Sequence, residues 1–275
     1  MPEGNGYVDV VCVDAMKTIF ELKDVETIPR LYAKAAGRDF NQSFQTELDH
    51  LLRKWRQKWA GEDDDKVSLT IDQYWLEVNT GILGELNPGF TELEKKEHSL
   101  MVRKRIIGDS NGDSDLYCVH EDTLQAMEQL SEFCHSRRGL LVFASNQPES
   151  ILSRMKVAND RLDKAFDNLF TPTKLHSRKP LRGFWTSLRG NAQITKRILA
   201  MVGNSLENDL AAVNLPAPVY LLDRDGSREQ TLNQVPGFDT PHLRPSVLRR
   251  WKEGKLIKVF HEPCGLVDCL IKDLE

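Results

Sequence analysis

Four short clusters of polar residues stand directly after apolar runs or in the loops between them. Residues 14–18 (DAMKT) follow VDVVCV, and Ser145-Asn146 follow LLVFA. Arg178-Lys179-Pro180 lie in a later loop, and Gly203-Asn204-Ser205, with Asn208-Asp209 beyond, follow ILAMV. The side chains are carboxylates, a hydroxyl, amides and an ammonium. Carboxylates can act as nucleophiles, acids or bases, and an ammonium with a hydroxyl can neutralise the oxygens of a reacting group. Each cluster alone is equally compatible with a turn or a helix cap, so their placement has to decide.

The elements that would position them can be read from the pattern. The run at 8–13 is dense in β-branched residues, as strands buried on both faces are, and it ends in Asp14. Beyond residue 119, helix and strand signals alternate. A helix is predicted over 123–136, a strand over 140–144, a helix after Pro148 and a short strand near 169–170. Further helices are predicted around 184–188 and from 207 to 213, with strands over 198–202 and 219–222. This alternation predicts a doubly wound α/β core with a parallel sheet. In such a sheet, ligands bind outside the carboxyl ends of the strands, where all four clusters fall.

From about 28 to 100 the character changes. Leu31, Phe44, Leu48, Leu51, Leu52, Trp55 and Trp59 recur at three- and four-residue steps, and Tyr74, Trp75, Val78, Ile82 and Leu83 repeat the pattern. The segment is predicted to be all helical, with polar loops at 61–66 (GEDDDK) and 108–115 (GDSNGDSD). The expected organisation is a core of residues 1–22 and 116–275 with a helical cap at 23–115. The last fifty residues carry four prolines and weak periodicity, and are expected to form a loop followed by short helices.

In order and spacing, the four clusters resemble the motifs of the haloacid dehalogenase-like hydrolase superfamily. LLVFASNQ, SRKP and VGNSLENDLAA look like its later three motifs, and the helical insert after the first strand resembles the subgroup with a small helical cap. The resemblance covers most of the chain. It implies a Rossmann-like core and a Mg2+-dependent phosphatase acting on a small phosphorylated molecule. Asp14 would be the nucleophile that forms an aspartyl-phosphate, and Ser145 and Lys179 would bind the transferring group. Thr18 and Asn146 would lie against the substrate. Asp14, the Met16 carbonyl, Asn204 and Asp209 would hold the metal, with Asp209 orienting the lysine as a further role.

The chain departs from the family pattern at three positions. Phosphatases of the family place an Asp two residues after the nucleophile, to protonate the leaving group; here Met16 has no titratable proton. General acid–base help is worth ~10²- to 10⁴-fold, so a phosphatase built on this site should be slow. Lys17 replaces a usual Gly, and Asn204 replaces a metal-binding Asp. These departures leave open a rival reading, in which the fold persists as a binding or scaffold protein without the chemistry. Haloacid dehalogenases usually have an aromatic residue at the position of Met16 and Ser-Ser-Asn in the fourth motif. Phosphonate hydrolases use a cap lysine, and nothing selects among Lys34, Lys54, Lys58 and Lys66.

Composition narrows the rest. The chain has 275 residues, 37 Lys plus Arg against 41 Asp plus Glu and a net charge of −4, so no global field attracts nucleic acid or an anionic membrane. The basic residues around Trp55 and Trp59 are read as the charged face of a helix whose tryptophans are buried, not as a nucleic-acid patch. No apolar stretch approaches the ~20 residues that span a bilayer, and five scattered cysteines without a C-x-x-C pair suit reduced thiols, so a cytoplasmic protein is expected. Asp109, Asn111 and Asp113 mimic the opening of a calcium loop, but Ser114 and His120 stand where that loop needs Gly and Glu. Walker, dinucleotide, esterase-elbow and zinc-protease signatures are missing from the sequence.

Overall fold

The computed structural model describes residues 9–60, 71–107, 116–147, 149–179, 182–190, 197–205, 208–209, 217–226 and 257–275. In chain order the elements are β1 (Val10–Val13), β2 (Phe20–Leu22), α1 (Thr27–Ala36), α2 (Gln42–Ala60), α3 (Ile71–Leu86), α4 (Glu92–Ile107) and β3 (Tyr117–Val119). They continue with α5 (Glu121–Ser136), β4 (Leu140–Ala144), α6 (Glu149–Val157), α7 (Asp160–Ala165), β5 (Asn168–Phe170), α8 (Pro172–Leu175) and α9 (Arg182–Gly190). The last are β6 (Ile198–Gly203), β7 (Val219–Leu222), β8 (Ile257–Phe260) and α10 (Pro263–Leu274). The chain divides into two compact units, Met1–Glu21 with Val119–Glu275, and Leu22–Cys118.

The first unit is built on a six-stranded sheet in the order β5-β4-β1-β6-β7-β8, parallel at every pairing. Its strands are the β-branched and aliphatic runs of the sequence, and β1 and β7 are buried along their whole length. Alternation along the strands gives each face its own core. On one face Val10, Cys12, Val142, Ala144, Val219 and Leu221 cluster with Phe184, Trp185 and Leu188 of α9. Phe143 points to the other face, where its ring stacks on Phe166 at 3.7 Å. This is the doubly wound α/β fold expected from the alternation.

The order of the sheet also marks its crevice. From β1 the chain moves outward through β4 to β5, then returns to β6 on the other side of β1 and proceeds to β7 and β8. Such a reversal is a topological switch point, and it lies at β1, from which Asp14 emerges.

The C-terminal region differs from expectation. Residues 257–260 (IKVF) form β8, which extends the sheet by pairing with β7, and a single twelve-residue helix, α10, follows. With a lysine at its second position and only Ile257 buried, β8 lacks the continuous apolar run that makes the equally short β1 and β7 legible. Lys258 is held by Asp273 of α10 at 2.5 Å, a partner fifteen residues away. A second unforeseen element is the two-stranded sheet of β2 and β3, within which both unit boundaries fall. The loops at 61–66 and 108–115, the calcium-like residues among them, and most of the helix expected over 207–213 lie outside the described residues.

The second unit contains α1 to α4. Its core joins Tyr32, Phe44, Leu48, Leu51, Val78, Ile82, Leu83 and Val102; all but Tyr32 and Val102 are among the residues noted at helical spacing, whereas Leu31 is only partly buried. The Tyr32 hydroxyl donates to Asn79 Oδ1 at 2.5 Å, which satisfies two buried polar groups at once. Trp55 packs against this core, and its indole donates to Glu85 Oε1 at 2.6 Å. A Cβ at position 81 would lie 2.4 Å from that indole, so α2 and α3 can approach this closely because Gly81 carries none. The side chain of Trp59 lies outside the described residues. Among the described residues, no helix is long and apolar enough to cross a membrane.

Candidate active site

Asp14 leaves β1 at the switch point with its backbone N–H donated to Val202 of β6 at 2.8 Å, so the position of its Cα is set by the sheet. Ser145 leaves the neighbouring strand β4 from the same edge, because Val13 pairs in register with Phe143. Its backbone N–H donates to Phe170 of β5 at 3.1 Å, and its buried hydroxyl accepts a bond from Gln147 N at 3.3 Å.

The centre of the site is an ammonium shared by two carboxylates. Lys179 Nζ donates to Asp14 Oδ1 at 2.7 Å and to Asp209 Oδ1 at 2.6 Å. Lys179 is 2% exposed, Asp14 8% and Asp209 0%, so the group is removed from water and its attractions are little screened. Burial pushes the Asp14 carboxyl up to about 6; the charge and hydrogen bond of Lys179 oppose that shift, and Asp209 adds to it. Burial alone would lower Lys179, but the two carboxylates outweigh it and hold the ammonium above its ordinary range.

Each member of the triad is itself fixed. Asp209 Oδ2 accepts from the backbone N–H groups of Asn204 at 3.0 Å and Ser205 at 2.8 Å. This close approach needs Gly203, since a Cβ there would lie 2.2 Å from the same oxygen. Asn146 clamps the backbone of Lys179 from both sides: its Nδ2 donates to the Lys179 carbonyl at 2.8 Å, and its Oδ1 accepts from the Lys179 N–H at 2.8 Å. The same Nδ2 reaches Asn208 Oδ1 at 3.3 Å. Asn146 was expected to lie against substrate; its amide is engaged in positioning the lysine. Neither this clamp nor the role of Gly203 was singled out by the sequence, although SNQ and VGN carry both residues.

The loop after Asp14 is tightly wound. Ala15 O accepts from Ile19 N and Phe20 N, both at 2.9 Å, and Lys17 N donates to Phe20 O at 2.7 Å. Lys17 takes φ 60, the left-handed region, at a cost of roughly 1–2 kcal/mol for a side chain with a Cβ. Its side chain is exposed. Thr18 is buried, and its hydroxyl has no hydrogen-bond partner, an unmet need worth about 1–3 kcal/mol if it stays unmet. Cys12 sits inside β1, where burial pushes its thiol up to about 12, so it is a packing residue.

Of the expected metal set, Asp14, the Met16 carbonyl and the Asn204 amide are the oxygen donors that remain by type, with the Asp14 carboxylate already accepting from Lys179 and the Ala15 N–H. Both oxygens of Asp209 are engaged, one by Lys179 and one by backbone amides, so in this arrangement Asp209 orients the lysine. Among the described residues, no three of His, Cys, Asp and Glu cluster as a metal-binding group. One carboxylate with neutral oxygens still suits magnesium, which keeps several waters and takes oxygens from a substrate phosphate.

No family model and no curated protein sequence matches this chain. Solved structures do. The L-2-haloacid dehalogenase from Xanthobacter autotrophicus aligns with a TM-score of 0.59 at 15% identity, over 96% of this chain and 98% of its own. A putative beta-phosphoglucomutase from Thermotoga maritima aligns with a TM-score of 0.57 at 13% identity, over 96% and 99%. The putative HAD-hydrolase YfnB from Bacillus subtilis, whose structure was solved bound to magnesium, aligns at 0.57 and 12% identity, over 80% and 91%. At these identities the likeness is one of fold, spanning nearly the whole chain. With its parallel sheet, its helical insert and its acid at the switch point, this chain has the fold of the haloacid dehalogenase-like hydrolases.

Proposed function

We propose that the protein is a phosphohydrolase that cleaves a small phosphate ester through a covalent intermediate on Asp14. The observation that carries this reading is the buried sharing of Lys179 between Asp14 and Asp209. A strand-end acid serving only as a cap has no need of a buried ammonium. Burying three charges is costly compared with an apolar core, and such an arrangement is retained where chemistry uses it.

The roles follow from the side chains. Asp14 attacks phosphorus through one carboxylate oxygen; an O–P bond forms, and the bond to the leaving oxygen breaks with its electron pair. The leaving oxygen takes its proton from solvent, because Met16 offers none. Water then attacks phosphorus, releases phosphate and regenerates the Asp14 carboxylate. Lys179 and Ser145 bind the phosphoryl oxygens as charge redistributes, and Asn146 and Asp209 keep the ammonium in place. Magnesium bound by Asp14, the Met16 carbonyl and Asn204 would neutralise phosphate charge.

The experiment is turnover of p-nitrophenyl phosphate and a panel of phosphorylated metabolites, with magnesium and with chelator, by wild type and Asp14→Asn. Metal-stimulated turnover that Asp14→Asn removes supports the reading. Absent turnover, or turnover indifferent to Asp14, overturns it in favour of a binding protein that has kept the fold.

A further inference from the structure

Three residues with side chains beyond glycine take positive φ among the described residues: Lys17, Arg138 and His176. Two have an ordinary reason. Arg138 directly follows the C-cap of α5, and His176 is itself the C-cap of α8, positions where helices commonly end in the left-handed conformation. Lys17 ends no helix. It sits at the tip of the loop three residues after Asp14, pinned by its bond to Phe20 O and by the bridge between Met16 and Phe20. A glycine would fit this backbone without strain, so the lysine side chain stands here at a local conformational cost.

Its surroundings suggest why. Lys17 is exposed and has no ion-pair partner among the described residues. Inside the site, the single positive charge of Lys179 is already shared by two carboxylates, so the triad carries a net charge of −1. Met16 and Asn204 add no charge. An anionic substrate therefore meets a negative centre, and three positions after Asp14, on the same loop, stands an exposed cation that pairs with none of the described residues. Being exposed, that cation is accessible to a part of the substrate that projects from the buried phosphoryl site.

Resting on the phosphohydrolase reading, we propose that Lys17 recognises a second anionic group of the substrate, so that the preferred substrate is a phosphate ester whose leaving group carries a carboxylate or a further phosphate. Lys17 is then a specificity residue, outside the bond-making steps. Its effect is electrostatic and falls as salt is raised.

The test compares wild type with Lys17→Gly, Lys17→Met and Lys17→Arg on three esters. They are p-nitrophenyl phosphate, 2-phosphoglycolate and a short diol bisphosphate. In the glycine and methionine variants, the ratio of kcat/KM for the better doubly anionic ester to that for p-nitrophenyl phosphate is expected to fall by about tenfold or more, chiefly through KM. Lys17→Arg should retain most of the ratio. Lys17→Gly should also melt about 2–4 °C higher, which separates lost recognition from lost folding. Whichever doubly anionic ester loses more identifies carboxylate or phosphate as the group read. An unchanged ratio overturns the proposal. Should wild type turn over none of the three esters and none of the phosphorylated metabolites of the panel above, the phosphohydrolase reading fails by itself. Calorimetric binding of 2-phosphoglycolate against inorganic phosphate then decides the role of Lys17: a wild-type preference that Lys17→Gly abolishes supports it, and equal binding overturns it.

Discussion

The ammonium of Lys179 lies 2.6 Å from Asp209 Oδ1, with both groups buried and Asp14 completing the set at 2.7 Å. Removing the cation leaves two carboxylates facing each other out of water. Lys179→Met is therefore expected to cost about 3–5 kcal/mol of stability at pH 7, the range for breaking a buried ion pair from one side. Protonating a carboxylate relieves the repulsion, so the deficit should narrow as pH falls from 8 to 5. Thermal melts across that range check it, and a deficit that is small or independent of pH would show that the lysine is not holding the two acids.

Asp14 gives the opposite sign. Its folded carboxyl stands at about 6 against an ordinary 3.8, because burial outweighs the pull of Lys179. Between those values the folded state holds a proton that the unfolded state has lost, so this group's contribution to stability falls as pH rises through that window. At pH 7 the ionised carboxylate is thus a net burden on the fold. Asp14→Asn is expected to raise the melting temperature at pH 7, by a gain on the order of 1–3 kcal/mol, and to lose that gain by pH 4. The same substitution should abolish turnover, and wild-type kcat/KM measured without metal should rise with pH through about 6. A variant less stable than wild type at neutral pH would contradict the sign.

Asn146 tests positioning without touching charge. Its two 2.8 Å bonds to the backbone of Lys179 fix the turn that delivers the ammonium. In Asn146→Ala the turn is released, with an expected stability loss of about 1–3 kcal/mol. A displaced ammonium should lower kcat by roughly 10- to 100-fold, given that a misplacement near 1 Å can cost 10². Steady-state kinetics beside melts at one pH separate the two effects, and an unchanged kcat would assign the clamp to folding alone.

Strand-forming runs and the acid that ends β1 were legible because their signals are local: β-branched density, helical spacing, a carboxylate at an apolar boundary. What could not be read depends on contacts distant in sequence. The Asn146–Lys179 clamp joins residues 33 apart, and the meeting of Lys179 with Asp14 across 165 was expected only through the family resemblance. Nothing in SNQ or SRKP encodes that pairing. The strand β8 and the β2–β3 sheet are three or four residues long and mostly only half-buried, so they lack the continuous apolar run that marks the equally short β1 and β7. Lys17 misleads in another way: a left-handed residue is normally signalled by glycine, and here the backbone conformation exists without the residue that announces it.

Gly203 shows how a single missing atom supports the site. Asp209 Oδ2 and Cγ would lie 2.2 and 2.4 Å from a Cβ at this position. Gly203→Ala must therefore push the carboxylate off the Asn204 and Ser205 amides, or bend the end of β6. Overpacking of this kind costs about 1–3 kcal/mol. The loss of turnover should exceed what instability alone explains, because Asp209 orients Lys179. Kinetics measured well below the variant's melting temperature make the distinction, and full activity there would mean that Asp209 can move without consequence.

Met16 offers a gain-of-function test. In the phosphohydrolase reading it stands two residues after the nucleophile, the position from which phosphatases of the resembled family protonate the leaving oxygen, and a thioether cannot do so. In Met16→Asp the new carboxyl would join a centre whose net charge is already −1, which favours its protonated form and suits it to act as an acid. The benefit depends on the leaving group. An alkyl alkoxide needs the proton, whereas p-nitrophenolate leaves readily without one. The variant is therefore expected to raise kcat on alkyl phosphates by about 10-fold or more, within the ~10²- to 10⁴-fold scope of general acid catalysis, and to change p-nitrophenyl phosphate turnover far less. Parallel kinetics on the two substrate types check this. Equal effects on both would mean that protonation of the leaving group does not limit the wild-type reaction, and that the methionine costs the site little.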